Sequence, residues 1–286
     1  SLLAVIVYGI ARTLGLGHAQ AALPGLLVAL DNALVLHSRI IMPDSLFLVL
    51  GFSGIWSILC AEKSRGNARR RFFLLLLAGI LFGCAASMKW TGLGFFGAAA
   101  LFLFVKKHWV DIARLAAIII AVYAFVFLAY FSLFRPGLVD LKKSLDLPVH
   151  ADLRTQVSEL YFPPRGDIAS ELQLLWQYNR LIYLTHSDPG FIRASPNGGS
   201  PYEWPLSFAP FMYWGVPSIG KYIVLIGNYF SWGLALVAVF FYCMSIPLLY
   251  LRSKIRPGWP LFLVGGYCAN FLPFLLIPSQ LFLFHY

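Results

Sequence analysis

The sequence predicts an all-α integral membrane protein, a polytopic helical bundle of about eight membrane helices with one large external loop. Two observations support this fold class. Hydrophobic residues make up 59% of the 286 positions and charged residues only 12%, whereas an average soluble domain carries about 25% charged residues. Apolar runs of about 20 residues recur along the chain, and each is long enough to cross a bilayer core of about 30 Å.

Eight apolar segments are the predicted spans, and they divide the chain into three regions. Residues 1–134 hold six helices joined by short connections, residues 135–221 form the external loop, and residues 222–286 form a second membrane block with two helices. The predicted spans are residues 2–16, 20–37, 43–62, 71–88, 92–106, 109–134, 222–251 and 258–277.

The external loop contains one segment with helical periodicity. In the stretch DIASELQLLWQYNRLIYLTH, apolar side chains recur at helical spacing, at Ile168, Leu172, Leu175, Tyr178 and Ile182. This pattern predicts an amphipathic helix on the membrane surface, with Trp176 and Tyr178 at the depth of the lipid headgroups. The stretch that follows, SDPGFIRASPNGGSPYEWP, is dense in Gly, Pro and Ser and predicts a turn-rich loop.

The net charge of +10 indicates topology and not a nucleic-acid surface. Twelve Lys and Arg residues fall in connections on one side of the predicted spans, and only Arg39 and Lys89 fall in the short connections on the other side. The positive-inside rule puts the twelve in the cytoplasm, so Arg39 and Lys89 are external. The remaining eight lie within 135–221, where eight acidic residues balance them. We therefore expect no nucleic-acid partner.

The four cysteines lie inside predicted helices, so the sequence shows no disulfide framework and predicts buried thiols. The two histidines of the external side, His186 and His285, do not make a metal site, and we expect none. The chain begins at Ser1 within an apolar run and stops at Tyr286 after an aromatic cluster, so we expect it to be a piece of a longer protein.

Polar residues that interrupt the apolar pattern gather on the external side. A charge costs about 2.5–3.5 kcal/mol at the bilayer centre on insertion scales, and such residues usually mark function. Arg39 and Lys89 are therefore candidates to bind a phosphate held at membrane level. The interrupting residues of the first region are Asp31, His37, Arg39, Asp44, Lys89 and Trp90.

These residues also have structural interpretations. Arg39 and Lys89 could snorkel to the headgroups, and Asp31 could be the partner of a hydroxyl or of Arg39. Asp44, which follows Pro43, could be a helix N-cap. The tryptophans are compatible with interfacial anchoring, at Trp90, Trp204 and Trp232.

Five stretches, in order, resemble the signature stretches of the protein O-mannosyltransferases: ALDNALVLHSRIIMPDSLF, AASMKWTGLG, YEWPLSFAPFMYW, IGNYFSW and SQLFLFHY. The resemblance spans nearly the whole chain and implies the GT-C fold of glycosyltransferase family 39. It is to the bacterial form, because the external loop is too short for the β-trefoil domain of fungal and animal members.

The resemblance implies an inverting transfer of mannose from polyprenyl-phosphate mannose to Ser or Thr of exported proteins, near the secretion translocon. It places the active site at the external face of a bacterial plasma membrane, among membrane lipids. It implies no certain cofactor beyond the lipid-linked donor, and a divalent metal requirement stays open. Cations would hold the phosphate as the sugar leaves. The donor-site residues so implied are Arg39, Lys89, Trp90, His186, Trp204, Asn228, His285 and Tyr286.

The chain departs from the family pattern in several places. Ser279 stands where the closing motif begins with Arg, Asn179 where the family often has His, and Tyr229 where "GNP" has Pro. The family's acidic pair, which would supply the general base, is expected upstream of Ser1. The catalytic residue is therefore unknown, with Asp44 as a substitute candidate, and we expect the 286-residue chain to be inactive by itself.

Two other functions remain compatible with the sequence. One is a related GT-C glycosyltransferase that acts on a lipid or polysaccharide acceptor. The other is a membrane transporter or channel. Transporters often show repeated halves and interrupted helices at the midplane, whereas the polar residues here gather at one surface.

Overall fold

The computed structural model is mostly helical and describes residues 2–39, 43–133, 167–187, 201–206, 211–251 and 258–276. Helices α1 to α10 are Leu2–Thr13, His18–Ala29, Asn32–Arg39, Asp44–Lys63, Ala68–Met88, Leu93–Val105, Trp109–Leu133, Ile168–Ser187, Tyr229–Leu251 and Gly258–Phe271. Short 3-10 helices are Trp90–Gly92, Pro201–Leu206, Pro217–Ile219 and Leu272–Leu276. Strands β1 and β2 are Phe211–Val216 and Lys221–Leu225.

Four helices of the described chain are long and apolar enough to cross a bilayer alone: α4, α5, α7 and the segment Tyr229–Leu248 of α9. Helices α2 and α3 meet the same condition as a pair that is bent by 55° at its break. Shorter apolar helices at Leu2–Thr13, Trp90–Val105 and Leu261–Leu276 occupy the positions of the other predicted spans. The chain is thus a polytopic helical membrane protein, and the number of eight spans stays a prediction.

Helices of the first region and α10 share one apolar core. Phe95 of α6 belongs to this core and meets Phe47 and Phe52 of α4 edge to face, with ring centroids 5.5 and 5.3 Å away. Phe262 of α10 packs on Phe102 of α6 in the same way, at 5.4 Å. The last membrane block therefore completes the bundle that the first region begins.

Small residues on α5 let α7 approach it closely. A Cβ on Gly79 would lie 2.7 Å from Ile118, and one on Gly83 would lie 2.6 Å from Val122. Glycine at such crossings allows two backbones to come together, which is how helices associate in lipid. This register places Tyr123, the residue after Val122, near the C-terminal end of α5.

Charged side chains lie at both ends of the bundle. Arg71 at the start of α5 pairs with Asp111 at the start of α7, and Arg114 lies 3.5 Å from the same carboxylate. At the opposite end, Lys89 after α5 pairs with Asp44 at the start of α4. The predicted topology puts the arginine end in the cytoplasm and the lysine end outside.

The second predicted span, 20–37, is not one helix. Its break falls at Asp31, whose Oδ1 accepts a hydrogen bond from the backbone of Leu34 at 3.1 Å and so caps α3. The other oxygen of this buried carboxylate accepts from Trp232 Nε1 at 2.9 Å and from Ser231 Oγ at 3.3 Å on α9. The structural interpretation of Asp31 as the partner of a hydroxyl is confirmed, and Trp232 is bonded inside the protein.

The seventh predicted span begins too early, and the all-α class is wrong for the segment before it. Residues predicted to open that span form β2, which pairs with β1 as an antiparallel hairpin. Both strands are rich in aromatic and β-branched residues, which favour a pleated surface. Gly220, with φ of +62°, supplies the left-handed turn before β2. Helix α9 begins only at Tyr229.

The predicted surface helix is present as α8. Leu174 and Leu181 are its buried residues, whereas Ile168 and Leu172, at the start of the predicted apolar stripe, are exposed. Trp176 is exposed as well, as an interfacial side chain would be. The helix was predicted correctly; its buried leucines lie outside the predicted stripe, whereas Tyr178 of that stripe packs on α7.

Candidate functional site

Lys89 is held between two helices by a buried carboxylate. Its backbone leaves α5 in an extended conformation (φ −149°, ψ 136°), and its N–H still bonds Ala85 O at 3.1 Å. From there its ammonium group donates to Oδ1 of Asp44 on α4. The Lys89 side chain is 26% exposed and that of Asp44 only 8%. The lysine is therefore anchored to a protein carboxylate and not merely extended towards headgroups.

Asp44 differs from its predicted role as N-cap. Pro43 occupies the cap position, and Asp44 is the first residue of α4, where a negative charge favours the helix dipole. Its second carboxylate oxygen is buried and has no hydrogen-bond partner among the residues that the structure describes. The N-cap prediction is thus wrong, because the Asp44 carboxylate accepts a hydrogen bond from Lys89 and no side chain caps the start of α4.

Helix α3 brings two more basic groups to this end. The buried imidazole of His37 is close enough to Asp44, Lys89 and Asp31 for each of these charges to act on it. Arg39, the last residue of α3, is exposed. Arg39 and Asp44 are five positions apart in the sequence, which limits the distance between their Cα atoms to about 18 Å.

Trp90, next to Lys89, faces a different helix. Its indole N–H donates to the hydroxyl of Tyr123 on α7 at 3.0 Å, and this hydroxyl donates in turn to Asn179 Oδ1 on α8. Two adjacent residues, Lys89 and Trp90, therefore bind side chains of different helices. Lys89 is tied to α4, and Trp90 is tied through Tyr123 of α7 to α8.

Two other predicted site residues have structural roles in the described chain. Trp204 is fully buried and packs edge to face on Phe274, with centroids 5.4 Å apart, in a small core that includes Ala33 and Leu225. Its position is that of a core residue. Asn228 caps α9, because its Oδ1 accepts from the N–H groups of residues 230 and 231 at 3.1 and 3.2 Å.

Three further predicted residues cannot be placed by side chain. His186 belongs to the last turn of α8, but its side chain lies outside the described part of the chain. His285, Tyr286 and the departure at Ser279 also lie outside the described residues.

The described residues bring Lys89, Trp90 and the end of α3 to one side of the bundle. The sequence did not predict that Asp44 is the partner of Lys89, or that Tyr123 is the partner of Trp90. The run IIIAVYAFVF contains the only available signal for Tyr123, a hydroxyl within an otherwise apolar helix.

An ammonium has three N–H donors, so Lys89 can bind the oxygens of an anion while it stays near Asp44. Arg39, with a planar guanidinium, can bind two oxygens of one phosphate at once. Within the described ranges, no group of three or more His, Cys, Asp or Glu side chains could hold a metal ion. The groups at this end that can donate to an anion are therefore the Lys89 ammonium and the Arg39 guanidinium.

The fold defines a polytopic membrane protein, and its described residues place Lys89, Asp44 and the end of α3 at one end of the bundle. Residues 1–137 match the family model described as dolichyl-phosphate-mannose-protein mannosyltransferase. Residues 172–286 match that of the C-terminal four-transmembrane region of protein-O-mannosyltransferase. The two models together cover most of the chain, which belongs to the protein O-mannosyltransferase family.

Similar proteins include bacterial and animal members. The polyprenol-phosphate-mannose–protein mannosyltransferase of Mycolicibacterium smegmatis is 25% identical over 337 residues, covering 99% of this chain and 61% of the relative. Protein O-mannosyltransferase 1 of Drosophila melanogaster is 34% identical over 109 residues, covering 38% and 12%. Protein O-mannosyl-transferase 1 of Homo sapiens is 27% identical over 150 residues, covering 46% and 19%.

In each of these relatives the matched part is less than two thirds of the relative's length. No solved structure matches the chain.

Proposed function

We propose that this chain belongs to an enzyme that transfers mannose from polyprenyl-phosphate mannose to Ser or Thr hydroxyls of exported proteins. The bacterial relative, named as a polyprenol-phosphate-mannose–protein mannosyltransferase, aligns with 99% of the chain. Its name supports a polyprenyl donor and a protein acceptor. In this proposal the enzyme works at the external face of a bacterial plasma membrane, where exported proteins emerge near the translocon.

One observation carries the proposal: Lys89 lies at the end of the membrane helices in an ion pair with buried Asp44. A polyprenyl tail stays in the bilayer, so the donor phosphate lies at this depth. Arg39 is exposed at the same end. Two cations at one membrane level suit a phosphate whose negative charge increases during the reaction.

The reaction can be written with these groups in place. The acceptor hydroxyl oxygen attacks the anomeric carbon of mannose, and the bond from that carbon to the phosphate oxygen breaks. The electron pair leaves with the prenyl phosphate, where Lys89 and Arg39 stabilise the new charge. The configuration at the anomeric carbon inverts, because attack and departure occur on opposite faces.

The hydroxyl proton must pass to a general base. Asp44 is paired with Lys89 and buried, so in this proposal it holds the lysine and does not take the proton. The base is then a different carboxylate, the role that the family resemblance gives to its acidic pair.

The test uses the full-length protein in liposomes with radiolabelled polyprenyl-phosphate mannose and a Ser/Thr-rich peptide. We expect label on the peptide, located at Ser or Thr by mass spectrometry. A matched peptide with every Ser and Thr replaced by Ala should stay unlabelled. Label that enters only lipid or polysaccharide would indicate the related glycosyltransferase, and donor uptake without turnover would indicate a transporter. Either outcome would overturn the proposal.

A further inference from the structure

The hydrogen bonds between Trp90, Tyr123 and Asn179 have only one possible direction. An indole N–H can only donate, so the Tyr123 oxygen must accept from Trp90 at 3.0 Å. The single hydroxyl proton of Tyr123 then points to Asn179 Oδ1. The Asn179 amide nitrogen donates to Leu175 O at 2.8 Å within α8. This last bond fixes which amide atom is oxygen, an assignment that otherwise depends on the network.

The turn at the start of this chain of bonds has little freedom of its own. Gly92 N–H bonds Lys89 O at 2.8 Å, which closes the turn. Gly92 also lies directly on the end of α5, since a Cβ there would be 2.6 Å from the carbonyl carbon of Ala85. The backbone of this turn is therefore held on both sides of Trp90, at Lys89 and at Gly92.

The other end of the chain of bonds is the external helix α8. Tyr178 rests on two rings of α7, with centroids 5.7 Å from Phe127 and 5.6 Å from Phe131. Phe131 is fully buried. Burial at this contact raises the pKa of the Tyr178 phenol. Aromatic packing thus holds α8 against α7, and Asn179 adds the polar contact that reaches Trp90.

We infer that Tyr123 is a positioning residue that couples the surface helix α8 to the turn carrying Lys89. Its hydroxyl is the point at which three elements meet: α8, α7 and the 3-10 helix Trp90–Gly92. When α8 is seated, Trp90 is fixed and the lysine ammonium is held where an anion can be bound. The role in phosphate binding rests on the proposed function, whereas the coupling between α8 and the turn does not.

The kinetic test uses Tyr123→Phe in the full-length protein, which removes only the hydroxyl. Loss of a hydrogen bond worth about 0.5–1.5 kcal/mol corresponds to a fall of roughly 2- to 12-fold in kcat. The KM for the lipid donor should change less, because a misplaced lysine affects mainly the charge that develops in the transition state. Tyr178→Phe removes a hydroxyl from the same interface outside this chain of bonds and should keep the parent rate.

Asn179 provides the second variant. Asn179→Leu should reproduce the effect of Tyr123→Phe. Asn179→Asp should retain most of the activity, because aspartate keeps an acceptor oxygen. The double variant Tyr123→Phe/Asn179→Leu should be no slower than either single variant. Parent rates for both Tyr123→Phe and Asn179→Leu would overturn the inference. Additive losses in the double variant would overturn it as well, since they would mean independent roles.

Hydrogen exchange followed by mass spectrometry separates this inference from the proposed function. In Asn179→Leu, a change made on α8, the amides of the peptide covering residues 84–96 should exchange several-fold faster than in the parent. If residues 84–96 exchange faster in Asn179→Leu although the parent protein transfers no mannose, the coupling is supported and the proposed function is rejected. Unchanged exchange in 84–96 would reject the coupling, whatever the activity.

Discussion

The ion pair between Lys89 and Asp44 makes an asymmetric prediction about stability. In Lys89→Met the carboxylate of Asp44, whose side chain is only 8% exposed, loses its cation. In Asp44→Asn the remaining lysine is 26% exposed and can reach water or headgroups. The lysine variant should therefore be the less stable of the two, although both remove the same ion pair.

The burial of the pair sets the magnitudes. Removal of one partner from a buried ion pair costs about 3–5 kcal/mol, because the other charge remains without compensation. We expect about 3 kcal/mol for Lys89→Met, the low end, because the site opens on the lysine side. Asp44→Asn keeps an acceptor oxygen and should cost about 1.5 kcal/mol, the low end for a hydrogen bond to a charged group. The double variant Lys89→Met/Asp44→Asn should be more stable than Lys89→Met alone.

Thermal unfolding with a thiol-reactive dye can measure these differences, because the four free cysteines are half-buried in helices. At 2–4 °C per kcal/mol, Lys89→Met should lower the Tm by roughly 6–12 °C. The matched control is Arg180→Met. Arg180 is an exposed residue of α8, so this variant should keep the parent Tm. If Asp44→Asn proves as damaging as Lys89→Met, or if the double variant is the least stable, the account of the buried carboxylate is wrong.

Three further predictions concern the turn, the topology and the surface helix. Gly92→Ala should destabilise the protein by about 1–3 kcal/mol, because the new Cβ would lie 2.6–2.7 Å from backbone atoms. The control Gly233→Ala should leave the Tm unchanged in the same assay, because no atom lies within 4 Å of its new Cβ. A membrane-impermeant thiol reagent applied to intact cells should label Gln173→Cys and not Gly66→Cys, and the reverse pattern would overturn the orientation. Hydrogen bonds from Ser170 lower the pKa of Asp167, the residue before α8, below its ordinary value of 3.8. The stability that these bonds contribute is present above that value and is lost as the pH falls through the lower one, so α8 amides should be equally protected at about pH 7 and 5 and less protected at about pH 3. Equal protection of the α8 amides at all three pH values would show that the Asp167 carboxylate does not stabilise α8.

The length of apolar runs was enough to predict most of the helices. Bilayer thickness fixes that length, so α4, α5 and α7 lie close to their predicted bounds. The break at Asp31 was not predicted, because it depends on partners about 200 residues away, Ser231 and Trp232. The hairpin β1–β2 was missed because KYIVL is a largely apolar run only three residues before α9, and hydropathy does not distinguish a strand from the start of a helix.

The candidate site was predicted in part for a similar reason. The membrane makes isolated charges conspicuous, so Arg39 and Lys89 could be singled out from the sequence. Their partners could not, because the contacts join residues 45 positions apart for Lys89 and Asp44, and 33 apart for Trp90 and Tyr123. Such pairs follow from how α4, α5 and α7 pack, which composition and spacing do not specify.

The rate of mannose transfer by Arg39→Ala tests the central claim most directly. Arg39 is exposed at the end of α3, so its replacement should leave the Tm unchanged. If it binds the donor phosphate, kcat should fall by about 10²–10³-fold, as for the loss of one donor to a developing oxyanion, and Arg39→Lys should recover part of this. Lys89→Ala/Asp44→Asn, which removes the second cation together with its carboxylate, should fall similarly, and Arg180→Ala should not. Transfer at the parent rate by both Arg39→Ala and Lys89→Ala/Asp44→Asn would contradict the assignment of this end of the bundle as the phosphate site.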